Sequence, residues 1–148
     1  MYSSVTAPVD VLLVEDDPAD TLLMQEALAT RPGRHRLHVV RDGVEAMDFL
    51  LCGGSYSSAP RPALILLDLN LPHMDGYAVL AELKADEHLR SIPVIVLTSS
   101  KAETDVVRSY ASHASAYITK PVESERFTEI MRKIDTFYLS VVKLPRAG

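Results

Sequence analysis

Four short apolar runs in this 148-residue chain each stop at residues that can do chemistry. Val9–Val14 is followed by Glu15-Asp16-Asp17, and Leu64–Leu67 by Asp68. Val94–Leu97 is followed by Thr98, and Ala116–Ile118 by Thr119, Lys120 and Pro121. A further short run, Leu37–Val40, completes a set of five, and segments of helical periodicity separate them. Continuous apolar strands that alternate with helices predict a parallel sheet covered on both faces. The carboxyl ends of such strands share one edge, where open α/β folds place their sites.

The expected elements follow from local signals. Pro18 sits where a first helix begins, with Asp20 behind it to suit the helix dipole. That helix runs to about Thr30, with Leu23, Ala27 and Leu28 toward the core, and Arg31-Pro32-Gly33 ends it. Helices are also expected over Gly43–Leu51 (apolar at Val44, Met47, Phe49 and Leu50), from Tyr77 to about Asp86, and from about Glu103 to Ala111. The third strand is read as Ala63–Leu67, and Cys52–Pro62, rich in Gly, Ser and Pro, as a long surface loop within one domain. The last helix starts near Ser124 and keeps helical apolar spacing from Phe127 to Val142. Residues 1–8 are then an N-terminal tail and 9–148 a single (βα)₅ domain whose C-terminal helix extends to about residue 143.

The length suits one core, and 47% hydrophobic with 24% charged residues is ordinary for a globular domain. Fifteen basic against twenty acidic residues give a net charge of −5 without a Lys/Arg stripe, which argues against nucleic acid as a partner. The lone Cys52 fits a reducing cytoplasm, no apolar run approaches a membrane span, and Met1–Asp10 does not read as a secretory signal. His35, His38, His73, His88 and His113 lack ligand spacing, so no zinc site is expected and all five are placed at the surface.

Clustered carboxylates, one hydroxyl and one ammonium along a sheet edge describe a magnesium-dependent phosphoryl site. A carboxylate that accepts a phosphoryl group must be fixed and accessible. It also needs a hard divalent cation on the phosphoryl oxygens and a donor or cation for the charge that develops. Asp16 and Asp17 are neighbours at a strand end, one able to reach a metal directly and the other through water. Asp68 ends a nearby strand, Thr98 offers a hydroxyl, and Lys120 offers a mobile point charge.

These residues stand in five ordered motifs. They are Val14-Glu15-Asp16-Asp17, Leu66-Leu67-Asp68-Leu69-Asn70-Leu71-Pro72, Met74-Asp75-Gly76, Val96-Leu97-Thr98-Ser99 and Tyr117-Ile118-Thr119-Lys120-Pro121. With them the chain resembles, from about Val9 to Leu139, the receiver domain of two-component response regulators. The resemblance implies a flavodoxin-like, doubly wound sheet of strand order 2-1-3-4-5. It implies that Asp68 is the phosphoacceptor, phosphorylated by a sensor histidine kinase. Asp17, Asp68 and the backbone carbonyl of Asn70 would bind Mg²⁺, with Asp16 assisting through water. Thr98 would hydrogen-bond the phosphoryl group, Lys120 would pair with its oxygens, and the Lys120–Pro121 bond would be cis. Tyr117 would be the switch aromatic that follows Thr98 on phosphorylation. Such a receiver turns over no external substrate.

Within that family the chain looks most like stand-alone regulators paired with bacterial phytochrome-type kinases. The features are Val14-Glu15-Asp16-Asp17-Pro18-Ala19-Asp20, the long loop after Asp48-Phe49-Leu50, and the ending from Phe137 to Pro145. His73-Met74 and Tyr138 depart from what those relatives often carry. Only a short tail follows the last helix, so output is expected through a downstream protein partner or a phosphorelay. Phe137, Tyr138, Val141, Val142 and Leu144 extend the apolar stripe; folding back onto the domain is the plainer reading, and a homodimer through the last helix and its extension is the expectation.

Plainer readings stand beside each residue. Asp17 before Pro18 suits a helix cap, Asp68 a turn, Thr98 a cap, and Tyr117 an ordinary core aromatic. Among rival functions, an aspartyl-phosphate phosphohydrolase would carry Asp-x-Asp on its first strand, whereas Asp68 stands alone on the third. A flavodoxin-like ligand module would need a Gly/Ser/Thr phosphate cradle after strand one, where this chain has three acids. A degenerate docking receiver would lack some of the five chemical positions, and all are filled.

Overall fold

Alternating apolar side chains on both faces of β1 (Val9–Val14) seed two cores at once. The structure, a computed structural model, describes residues 9–29, 35–99, 116–120 and 122–143, with side chains of the last helix as far as Lys133. The helix expected over 103–111, Ser100, Pro121 with its peptide bond, Leu144 and the 1–8 tail fall outside those residues. So do the side chains of Phe137, Tyr138, Val141 and Val142.

Five strands form one parallel sheet in the order β2-β1-β3-β4-β5, the doubly wound flavodoxin-like arrangement expected. They are β1, β2 (His35–Val40), β3 (Leu64–Asp68), β4 (Val94–Thr98) and β5 (Ala116–Thr119). Among the described residues four α-helices accompany them: α1 (Pro18–Ala29), α2 (Gly43–Leu50), α3 (Gly76–Ala85) and α4 (Ser124–Lys143). On one face Leu12, Val14, Ile65, Leu67, Val94 and Val96 meet Phe49 of α2 and Val79, Leu80 and Leu83 of α3. On the other, Val11, Leu13, Leu64, Leu66, Ile95 and Leu97 meet Met24 and Leu28 of α1 and Phe127 and Met131 of α4. Burial on both faces is why β3 and β4 read as unbroken apolar runs.

The strands run past their apolar segments, and the reason is the ladder. Asp68 pairs with Leu97, and Thr98 with Thr119, so the functional residues close β3 and β4 as strand members. β2 starts at His35, two residues earlier than its apolar run, because the β1 register extends from Val9↔His35 to Val14↔Val40. Two departures accompany it. His35 and His38 are half-buried, where surface positions were expected. His38 Nε2 lies 3.0 Å from Asp10 Oδ1, and its ring lies 5.3 Å from that of Phe49. On α2, Val44 is 52% exposed, since the capped helix turns Ala46, Phe49 and Leu50 inward instead.

Helix starts are set by side-chain caps. Asp42 Oδ1 accepts from Glu45 N at 2.8 Å, and Asp75 Oδ1 from Ala78 N at 2.9 Å, which moves the start of α3 to Gly76. The loop after α2 contains a 3₁₀ turn, Gly54–Tyr56. Tyr56 closes that loop onto α2, edge-on to Phe49 and hydrogen-bonded to Glu45.

Candidate functional site

The carboxyl edge of the sheet gathers acids from two neighbouring strands. Strand order alone puts β1 beside β3, so Glu15 and Asp16 follow the strand adjacent to the one that ends at Asp68. One carboxylate oxygen from each of Glu15, Asp16 and Asp68 lies within 4.8 Å of the others. Glu15 and Asp68 are buried and Asp16 is exposed, so the cluster has a closed floor and an open side. A groove of about 500 Å³ opens beside it along α1, lined by Leu22, Gln25 and Arg41 among others.

Asp68 is fixed by its surroundings. Its Oδ1 accepts from the backbone N–H of Asn70 at 3.0 Å, and Gly76 packs directly against its main chain. A Cβ on Gly76 would lie 2.4 Å from the Asp68 carbonyl oxygen, so only glycine lets α3 start this close to the strand end. Asn70 Nδ2 reaches across to Ser99 Oγ at 3.1 Å and ties this loop to the end of β4. Farther along the loop, His73 sits at a φ of 66° and its Nδ1 lies 2.9 Å from Asp42 Oδ2.

Lys120 arrives from the far side of the sheet. Its backbone N–H donates to the Thr98 carbonyl at 2.7 Å, so the end of β5 is pinned beside the end of β4. Its Nζ then donates to Asp68 Oδ2 at 2.9 Å and to Glu15 Oε2 at 3.1 Å, and lies 3.0 Å from Asp20 Oδ2. Glu15 Oε1 is also 2.9 Å from Nζ, near enough for charge attraction but without hydrogen-bond alignment. Burial alone would lower the Lys120 pKa; the hydrogen bonds to Asp68, Glu15 and Asp20 and the charge of Asp68 outweigh it and keep the ammonium charged. Glu15 shows the opposite balance. Its burial, reinforced by a hydrogen bond with Asp68, pushes its carboxyl from 4.5 up to about 8 despite Lys120.

The sequence-predicted residues therefore separate. Asp16, Asp68 and Lys120 meet at one point, Thr98 is buried at the end of the adjoining strand, and Tyr117 is half-buried against the α2–α3 core. Asp17 is not in the acidic cluster. Its Oδ1 accepts from Ala19 N at 2.8 Å and its carbonyl from Thr21 N at 3.0 Å, which makes it the cap of α1. Glu15 stands in the cluster instead. The signal was available: an acid directly before a proline at a helix's first position suits a cap.

Three carboxylates at this spacing form an all-oxygen donor set of the kind hard divalent cations take. The buried Glu15 Oε1, which has no aligned donor among the described residues, adds a further acceptor. A fixed carboxylate, an acidic floor suited to a cation and a charged lysine close by provide what phosphoryl acceptance requires.

Comparison with known proteins leads to the same chemistry. Residues 11–132 match the model of the response regulator receiver domain. Response regulator Rcp1 of Synechocystis sp. (strain ATCC 27184 / PCC 6803 / Kazusa) is 48% identical over 147 residues, covering 99% of this chain and 100% of that protein. The crystal structure of the phosphorylated cyanobacterial phytochrome response regulator RcpA is 48% identical with a TM-score of 0.78, covering 95% of this chain and 100% of that one. The Mn²⁺-bound form of Rcp1 is 47% identical with a TM-score of 0.76, covering 94% of this chain and 100% of the other. The match spans both the fold and the residues gathered at its edge, and the chain belongs to the response regulator receiver family.

Proposed function

We propose that Asp68 is the phosphoacceptor of a two-component phosphorelay. Mg²⁺ would be held by the carboxylates of Asp16 and Asp68 and the backbone carbonyl of Asn70, with Glu15 completing the acidic floor. The observation that carries this reading is the meeting of Glu15, Asp16 and Asp68 oxygens within 4.8 Å with Lys120 Nζ 2.9 Å from Asp68. In the reaction an Asp68 oxygen forms a bond to phosphorus as the phosphorus–nitrogen bond to the kinase histidine breaks, and the imidazole takes the electron pair. When bound, Mg²⁺ supplies positive charge to the phosphoryl oxygens. Lys120 pairs with those oxygens, and the Thr98 hydroxyl donates to one of them. Movement of Thr98 lets Tyr117 shift, which changes the surface around β5 and α4 by biasing a two-state equilibrium.

The kinase we propose is phytochrome-type, because RcpA is a cyanobacterial phytochrome response regulator and it aligns over 95% of this chain. The receiver acts on no external substrate and passes its signal to a downstream protein or to a second copy through the extended last helix. We assign it to the cytoplasm, where a lone thiol such as Cys52 stays reduced. No helix among the described residues is long and apolar enough to cross a membrane.

Intact mass after incubation with acetyl phosphate and Mg²⁺ tests the reading. The native chain is expected to gain one phosphoryl group. Asp68→Asn and a chelator-treated sample are expected to gain none. A phosphorylated Asp68→Asn protein, or native protein that stays unmodified with both acetyl phosphate and a phytochrome-type kinase, would overturn it.

A further inference from the structure

Among the described residues Lys120 has three carboxylate partners, and two of them stand in the acidic cluster. Glu15 and Asp68 belong to the cluster within 4.8 Å, whereas Asp20 does not, although its Oδ2 is 3.0 Å from the same ammonium. Asp20 lies in the first turn of α1, where the helix dipole favours its negative charge, and its side chain is mostly shielded from solvent. An Asp68 lone pair engaged by Lys120 at 2.9 Å is a poor nucleophile, because the ion pair must loosen before that oxygen can bond to phosphorus. The ammonium must nevertheless stay close, since the phosphoryl oxygens need it moments later.

We propose that Asp20 is a positioning residue for phosphoryl transfer: it holds Lys120 aside from the attacking oxygen of Asp68 while a divalent cation occupies the acidic cluster. No proton moves between Asp20 and Lys120, and the ammonium stays charged throughout. The inference rests on Asp68 being the acceptor, and the Asp68→Asn control separates failure of that reading from failure of this one.

The experiment compares native protein with Asp20→Asn, Asp20→Glu and Asp68→Asn. Acetyl phosphate labelling is followed by intact mass across a Mg²⁺ series, and Mg²⁺ affinity is measured separately by calorimetry without any phosphodonor. Asp20→Asn keeps the side-chain shape and removes the charge. Its maximal rate at saturating Mg²⁺ should fall roughly fivefold or more, with calorimetric Mg²⁺ affinity unchanged within about twofold. Asp20→Glu should recover most of the rate. A native maximal rate in Asp20→Asn overturns the proposal. So does a loss that appears only as weaker Mg²⁺ binding, or a failure of Asp20→Glu to recover rate while both variants melt like the native protein.

Discussion

Asp16 and Asp17 are chemically identical neighbours with different work, and geometry rather than residue type separates them. Asp17 holds the start of α1 through Ala19, while Asp16 faces Glu15 and Asp68. Asp17→Asn should therefore keep both helix and metal binding, since asparagine caps as well as aspartate. Asp17→Ala should lower stability by about 1 kcal/mol in urea unfolding. Asp16→Asn should leave stability nearly unchanged and weaken Mg²⁺ binding at least about tenfold by calorimetry. Equal Mg²⁺ losses in Asp16→Asn and Asp17→Asn would show the assignment to be wrong. At this scale the sequence displayed Asp16, Asp68, Thr98 and Lys120 because each follows an apolar run. It concealed Asp20, whose pairing with Lys120 depends on the angle at which α1 leaves the sheet. His38 was hidden for the same reason: its partner Asp10 is on another strand.

Elements were legible where local chemistry decided them. Pro18 marks the start of α1, and Asp75-Gly76 marks that of α3. Long-range pairing decided the rest: β2 gains His35 and Arg36, and β3 and β4 gain Asp68 and Thr98, because neighbouring strands supply hydrogen-bond partners there. The 3₁₀ turn at Gly54–Tyr56 left no periodicity to read, since three residues are too few and Tyr56 is held by Glu45 and Phe49 of another element. The two helix starts at Gly43 and Gly76 depend on the absence of a side chain. A Cβ would lie 2.1 Å from the Met74 carbonyl oxygen at the first and 2.4 Å from that of Asp68 at the second. Backbone atoms cannot step aside as a flexible side chain would. Gly76→Ala should cost about 1–3 kcal/mol in urea unfolding. It should also slow acetyl phosphate labelling more than Gly43→Ala does, because the displaced atoms belong to Asp68 itself. Labelling at the native rate in Gly76→Ala would contradict this.

Across the whole molecule, folding, protons and metal are linked through Glu15. In the unfolded chain its carboxyl ionises near 4.5, and in the folded metal-free protein near 8, so the folded state binds an extra proton between those values. That contribution to stability is complete below 4.5 and disappears as pH rises through 8. A cation on the acidic floor favours loss of the proton, so Mg²⁺ affinity should rise with pH up to about 8, by at most about tenfold per unit. Melting curves at pH 6, 7 and 8.5 with and without Mg²⁺ should show an increment that grows with pH, and Glu15→Gln should flatten it; an increment independent of pH in the native protein would contradict the linkage. The contacts that create this linkage have a second consequence. Lys120 reaches Glu15 across 105 positions of chain and Asp68 across 52. Closing such separations costs chain entropy before any contact forms, and these ion pairs need β5 beside β4. A polypeptide emerging from the ribosome carries Glu15, Asp16 and Asp68 well before it carries Lys120. Labelling by a phosphodonor should thus be slower in any chain whose β5 is not yet in place.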